Sequence, residues 1–346
     1  MIDGHGDDVF RYGGKVRVNF STNIHQGVDH SGLLGHLISC PGLLSNYPEP
    51  EPVSVEKRLG ETFGIPVGNI IVTNGATEAI YLIARMMRGS RSSIVVPTFH
   101  EYQDACAMYG HVVRFLSESE VLGGLLSPGM TDAVWLCNPN NPTGRVFSRE
   151  ALLEVIDSMP ETLFVVDQAY ADYSVAEVIS VPEVLSRTNV IMLQSLTKQF
   201  AVPGLRIGYA IAPDECVATL RSMRMPWSVN SFAIEASHYL LEHRKNYRVD
   251  SKMLHEEALY ISRALSRLGI ESLDTDCNFV LCRLPVGNAC QLKEWLMATY
   301  GMLIRDASNF ETLDHSYFRV AAQDHKSNEL LIKYIEEWIS LFRSLR

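Results

Sequence analysis

Seven short, almost wholly apolar runs limit what this chain can fold into: Ile70–Thr73, Ser93–Val96, Val112–Leu116, Ala133–Cys137, Leu163–Val166, Val190–Gln194 and Ile207–Ile211. Each has the length of a strand, and helical stretches such as Ala76–Arg88 and Arg149–Ser158 lie between several of them. Strand–helix alternation predicts an α/β fold, a mostly parallel sheet with helices on both faces. Such strands read as continuous apolar runs because both their faces are buried. A stiff proline segment, Asn46-Tyr47-Pro48-Glu49-Pro50-Glu51-Pro52, precedes an expected helix over Ser54–Phe63. Helices are also expected over Phe232–Lys245 and His255–Leu268. Beyond Gly269 short strands recur at Asn278–Leu284, Met302–Ile304 and Tyr317–Ala321, with helices over Ala289–Tyr300 and Ser327–Phe342. The expected division is an irregular N-terminal arm over 1–45, a large domain over 46–245 and a small α+β domain over 246–346.

Composition narrows the function classes. The chain has 346 residues and a formal net charge of −10, with 30 Lys+Arg against 40 Asp+Glu. That balance argues against nucleic acid, whose phosphates call for a basic stripe. No apolar run approaches the ~18 residues a membrane span needs, so no membrane partner is expected. The start, Met-Ile-Asp-Gly-His-Gly-Asp-Asp, lacks the basic and apolar stretches of a signal peptide. Seven scattered cysteines without a CxxC spacing predict neither a disulfide framework nor a zinc site. A cytoplasmic protein without a metal is the expectation.

Five segments that follow expected strands carry the chemistry. The most specific is Ser195-Leu196-Thr197-Lys198, followed by Gly204-Leu205-Arg206-Ile207-Gly208. A lysine amine there can form a Schiff base with an aldehyde cofactor. Ser195, Thr197 and Arg206 can grip that cofactor's phosphate. In Thr73-Asn74-Gly75-Ala76-Thr77, the N–H groups of Gly75, Ala76 and Thr77 open a helix and point at an anion, although a plain turn fits too. Asn141, in Asn138-Pro139-Asn140-Asn141-Pro142-Thr143-Gly144, can donate to a ligand oxygen or simply shape a turn. Asp167 ends an apolar strand, where a carboxylate needs a partner such as a protonated ring nitrogen, or caps a helix. Tyr102 can stack on a flat ring or pack in the core. All five lie where an open α/β sheet binds its ligand.

With these motifs in order, the chain resembles the fold-type-I pyridoxal-5′-phosphate enzymes, the class I/II aminotransferase family, over essentially its whole length. The resemblance implies a seven-stranded sheet in the large domain. It implies Lys198 as the Schiff-base lysine, Asp167 on the pyridinium nitrogen and Asn141 and Tyr170 on the phenolic oxygen. Tyr102 would stack on the ring, and Gly75, Ala76, Thr77, Ser195, Thr197 and Arg206 would hold the phosphate. Arg319, in Tyr317-Phe318-Arg319-Val320, matches an arginine that receives a substrate anion.

A narrower resemblance is to the branch of histidinol-phosphate aminotransferases and L-threonine-O-3-phosphate decarboxylases. Asn46-Tyr47-Pro48-Glu49-Pro50 matches a segment whose tyrosine reaches the neighbouring subunit's site, implying a homodimer with Tyr47 lent across. Arg305 matches a second anion-binding arginine, which suits a phosphorylated amino compound. Gly4-His5-Gly6-Asp7 and Ser21-Thr22-Asn23-Ile24 resemble the decarboxylases, implying His5 and Asn23 near substrate. The departures are Tyr170, more typical of the aminotransferases, Gln168 for the usual Glu, and Asp7 for a second Gly. The resemblance thus implies decarboxylation of L-threonine O-3-phosphate to (R)-1-amino-2-propanol O-2-phosphate, used in cobalamin side-chain synthesis. The alternative is transamination of a compound such as histidinol phosphate with 2-oxoglutarate. A nicotinamide dehydrogenase is disfavoured because no GxGxxG follows the first strand. A regulator without turnover is disfavoured because Lys198 is intact and no helix-turn-helix extension is visible.

Overall fold

The computed structural model describes residues 6–344. A two-residue strand, β1 (Val18–Asn19), comes first. The seven apolar runs then appear as β2 (Ile70–Thr73), β3 (Arg91–Val95), β4 (Val112–Leu116), β5 (Ala133–Cys137), β6 (Leu163–Asp167), β7 (Val190–Gln194) and β8 (Gly208–Ile211). They form one sheet in the order β2-β8-β7-β6-β5-β3-β4. β8 runs antiparallel to both of its neighbours, and every other pairing is parallel. The carboxyl ends of the six codirectional strands therefore share one edge, and β8 starts at that edge, with Gly208 opposite Thr73. One apolar cluster packs on each face of the sheet.

The C-terminal part builds a separate antiparallel sheet from β9 (Glu271–Ser272), β10 (Phe279–Arg283), β12 (Arg305–Asp306) and β13 (Tyr317–Ala321), in the order β12-β13-β10-β9. Between β10 and β12, β11 (Met302–Leu303) pairs in parallel with β1. This unit has its own core, which includes Phe318, Ile335 and Trp338.

The N-terminal segment departs from the irregular arm expected of it. It carries a helix over Ser31–Ile38 and a short one over Gly42–Ser45. Phe20 is fully buried in the C-terminal core. Its N–H donates to the Leu303 carbonyl at 2.7 Å, and its carbonyl accepts from Ala321 N–H at 2.9 Å. Lys293 clamps the start of the segment through a buried ion pair to Asp8 at 2.7 Å. A two-residue strand shows no periodicity, and its partner lies almost a whole chain away. Nothing local could reveal it.

A buried ionic knot fixes β2 beneath the expected anion turn. Glu56, wholly buried on the helix Val53–Phe63, pairs with Arg221 at 2.7 Å and Arg224 at 3.0 Å, and accepts from Val72 N–H at 3.1 Å. Removing one partner of such a cluster strands the others in low dielectric. Glu56→Gln should cost about 3 kcal/mol of stability in urea unfolding, because Arg221 loses its counter-charge and Arg224 keeps only the exposed Glu51, 3.2 Å away.

Candidate active site

The carboxyl edge of the large sheet opens into a cavity of about 310 Å³, lined by residues that end or follow β2, β3, β5, β6 and β7 and by Arg206, which precedes β8. Gly75, Ala76 and Thr77 start the helix Gly75–Met86, so their N–H groups face the cavity with the helix dipole behind them. Gly75 has φ +73°, and a Cβ on it would lie 2.6 Å from Arg206 Nη2. Only glycine permits that arginine to sit directly over the turn. Gly208 is equally constrained, since a Cβ there would meet Ala76 N at 2.5 Å.

Lys198 lies on the short helix Leu196–Gln199 after β7, with its carbonyl fixed by the Tyr173 hydroxyl at 3.0 Å. Burial, assisted by the charges of Arg206 and Arg319, lowers its pKa to about 8, against the pull of Asp7 and Asp167. About half of such an amine is unprotonated at pH 8, and only a neutral amine attacks an aldehyde. Asp167 ends β6, 4% exposed. Its Oδ2 accepts from the Tyr102 hydroxyl at 2.7 Å and its Oδ1 from Ala169 N–H at 2.9 Å. Burial raises the carboxyl above its ordinary pKa, while those two donors and the Lys198 charge oppose the rise. A carboxylate held this way is completed by a cationic ring nitrogen. Next to Asp167, Gln168 is buried and satisfied, donating to the Ile179 carbonyl at 2.9 Å and accepting from Gln194 at 3.1 Å. An amide there avoids a second buried charge.

Beside this cavity a second, of about 120 Å³, shares Lys198, Asn141 and Tyr170 with it and reaches Arg305 and Arg319. The two arginines face each other across the β12–β13 ladder. Arg319 donates to Asn141 Oδ1 and, at 2.6 Å, to the Ser21 carbonyl. Arg305 donates to Asn309 at 2.6 Å. Burial brings Arg319 down to about 9, with the Arg305 charge adding to the effect, and Arg305 to about 10. Among the described residues, these neutral oxygens are their partners, and neither arginine forms an ion pair with a carboxylate. Two buried cations so placed form an anion site. Asn23 is buried beside Tyr170, with its side-chain amide within reach of the phenol hydroxyl at the rim of the second cavity.

Two of the expected site residues also have fixed partners within the protein. Tyr102 lines the cavity. Its ring lies against Trp135, with centroids 6.1 Å apart and planes at 28°, and its hydroxyl is spent on Asp167. Phe99 and Tyr170 are the aromatic residues that border both cavities, and Phe99 meets Tyr102 edge-on at 5.8 Å. Phe99 and Tyr102 are three residues apart, and tertiary packing brings both to the first cavity. Thr197 lines the cavity together with Ser195 and Arg206. Its hydroxyl donates to the Ile207 carbonyl at 3.0 Å and accepts from Ile207 N–H at 3.1 Å, closing the loop that returns Arg206 to the cavity. Tyr47 is 90% exposed beside Trp227 and lines neither of these cavities. His5 lies outside the described residues. Sequence reasoning did not single out Phe99, Ser21, Tyr173 or Asn309, whose roles rest on contacts between distant segments.

Tyr102→Phe removes one hydrogen bond to a buried carboxylate, worth about 1.5–3 kcal/mol. Turnover by the cofactor-loaded protein is expected to fall about tenfold or more, with the fold retained by circular dichroism.

The lysine, the glycine turn with its arginine, and the strand-end carboxylate fit a phosphorylated aldehyde cofactor, with Gly75 leaving the space Arg206 needs over the turn. The family model "Aminotransferase class I and II" matches residues 38–335. Among solved structures, L-threonine-O-3-phosphate decarboxylase from Porphyromonas gingivalis is 38% identical, with a TM-score of 0.90 over 93% of this chain and 99% of that one. The histidinol-phosphate aminotransferase from Clostridium acetobutylicum is 25% identical, with a TM-score of 0.83 over 92% and 99%. Threonine-phosphate decarboxylase of Salmonella typhimurium is 30% identical over 326 residues, 91% of this chain and 89% of that protein.

Proposed function

The chain belongs to the aminotransferase class I and II family, and on that premise we propose that it is a pyridoxal-phosphate-dependent carboxy-lyase. Its substrate is L-threonine O-3-phosphate, its product (R)-1-amino-2-propanol O-2-phosphate, and its setting cobalamin side-chain synthesis. The observation that carries this reading is the Arg305–Arg319 pair, two buried cations without a carboxylate partner among the described residues, in a cavity continuous with Lys198. They suit a substrate with two anionic groups. The 38% identical relative named as a decarboxylase supports the choice of reaction. So does the segment around Ser21 and Asn23, which closes over the arginines as an expected substrate-facing leader would.

In this reading Lys198 holds the cofactor through its amine and Asp167 faces the ring nitrogen. Asn141 and Tyr170 serve the phenolic oxygen, and Gly75, Ala76, Thr77, Ser195 and Arg206 the phosphate. Phe99 takes the stacking role. Pyridoxal phosphate, when bound, supplies a sink for the electron pair released at the substrate's Cα. Arg305 and Arg319 bind the phosphate and the carboxylate and set the torsion about Cα. With its two anionic groups held by these arginines, the substrate would lose its carboxylate as neutral CO₂, the electron pair of the broken Cα–carboxyl bond remaining at Cα. Lys198 then returns a proton to Cα. Asn141, bridged to Arg319, couples the anion site to the ring site.

The working unit is a homodimer in which exposed Tyr47 reaches the other subunit's cavity. The segment 1–45 acts with the small domain, 246–346, as a cover on the large domain, 46–245. The decisive assay supplies L-threonine O-3-phosphate alone and, separately, histidinol phosphate with 2-oxoglutarate. CO₂ and 1-amino-2-propanol phosphate are expected from the first, and no glutamate from the second. Glutamate formation without CO₂ release would overturn the decarboxylase reading in favour of transamination.

A further inference from the structure

Away from both cavities, three side chains with different donor atoms converge at the junction of the N-terminal segment and the large domain. His36 lies in the last turn of the helix Ser31–Ile38, Cys40 lies two residues beyond that helix, and Glu235 projects from the facing helix Ser231–Glu242. One imidazole nitrogen, the thiol sulfur and one carboxylate oxygen all lie within 4.8 Å of one another. His36 Nε2 is 2.7 Å from Glu235 Oε1, and Cys40 Sγ is 3.9 Å from the same oxygen.

We propose that His36, Cys40 and Glu235 form a zinc-binding site. Three observations support it independently of the catalytic reading. The first is the donor set. Nitrogen, sulfur and oxygen from three side chains match the borderline character of Zn²⁺ and its four-coordinate preference. A tetrahedral zinc with bonds of 2.0–2.3 Å sets its ligands about 3.3–3.8 Å apart, inside the spread seen here. The second is preorganisation. The His36 ring stacks on Tyr239, with centroids at 4.8 Å and planes at 28°, and Tyr239 stacks in turn on His243 at 4.2 Å. This fixes the imidazole plane with Nε2 aimed at Glu235. The turn carrying Cys40 is closed by its N–H donating to the Leu37 carbonyl at 3.2 Å and by Ser39 Oγ donating to the His36 carbonyl at 2.7 Å. The third is room for a fourth ligand. Cys40 and Glu235 border a cavity of about 270 Å³ that also reaches Tyr47 and Glu49, so a water can complete the tetrahedron.

Cysteine-spacing rules miss this grouping because it uses a single cysteine and a carboxylate from a distant helix. A zinc ion there ties the chain leading into Tyr47 onto the large domain. Binding displaces the thiol proton, so the ion exchanges a hydrogen-bonded His–Glu pair for a thiolate, an imidazole and a carboxylate on one cation.

The test uses the cofactor-loaded protein, stripped with a chelator and titrated with Zn²⁺ against a chromogenic competitor. One tightly bound zinc per chain is expected. Loss of even an outer partner of a zinc ligand costs about 10–100-fold in affinity, so Cys40→Ser and His36→Ala should each weaken binding by about 100-fold or more. In wild type, Co²⁺ should give the visible bands of a tetrahedral site, with a thiolate charge-transfer component lost in Cys40→Ser. Circular dichroism confirms that the variants fold. No zinc uptake by wild type, or equal affinity in wild type and both variants, overturns the proposal. Neither result bears on the decarboxylase reading.

Discussion

Lys198→Ala is expected to abolish turnover, with a fall of about 10⁴-fold or more, because in the proposed mechanism one amine both holds the cofactor and moves the proton at Cα. The purified variant should be colourless and resist borohydride fixation of pyridoxal phosphate, whereas wild type is yellow and bleaches. The same residue gives a pH signature in the cofactor-free protein. Its pKa is near 8 when folded and 10.5 when unfolded. Below about pH 8 both states carry the proton, and the folded state bears the full cost of a buried cation. Between about 8 and 10.5 the unfolded chain binds more protons than the folded one, so stability rises with pH. Wild-type protein without cofactor should therefore gain stability relative to Lys198→Ala across that window. A difference between the two that stays constant with pH would contradict the assignment of a depressed lysine. Covalent uptake of pyridoxal phosphate should accelerate through pH 8 for the same reason.

Arg319→Ala should lower kcat/KM for the phosphorylated substrate by about 10³-fold, which is ~4 kcal/mol for truncating one side of a buried charge-assisted contact. The loss has two parts. The substrate anion loses a planar pair of donors, and Asn141 loses the partner that orients it toward the ring site. Arg319→Lys should restore little, since an ammonium cannot bond Asn141, the Ser21 carbonyl and a substrate oxygen in the fixed geometry of a guanidinium. Asn141→Ala in the Arg319→Ala background should add less than it does alone, and a double-mutant cycle measures that coupling. Additive losses would mean that the two act separately.

The large sheet was legible because each strand is buried on both faces and so reads as an apolar run. The runs at 70–73, 112–116, 133–137 and 190–194 match the strands residue for residue. Lys198, Asp167, Asn141 and Arg206 were legible for a related reason. The first three stand within a few residues after such a run, and the chain direction sends all those ends to one edge. Arg206 gets there although β8 runs backwards, because it precedes that strand rather than following it. The antiparallel sense of β8 was not foreseen, since an apolar run carries no sign of its direction.

What the sequence determined alone is therefore what depends on local pattern: which segments are strands, which turns precede helices, and which chemically specific residues sit at the strand ends. Tertiary structure decided everything that depends on contacts between remote segments. It gave the Tyr102 hydroxyl to Asp167, a partner 65 residues away. It spent the Thr197 hydroxyl on Ile207, a partner ten residues away. It drew residues 18–23 out of an expected loose arm and wedged them beside Leu303 and Ala321, where Ser21 meets Arg319. Pairing across that distance leaves no periodic trace in the chain. It is set by the fit of Phe20 into a core that exists only once the C-terminal sheet has formed.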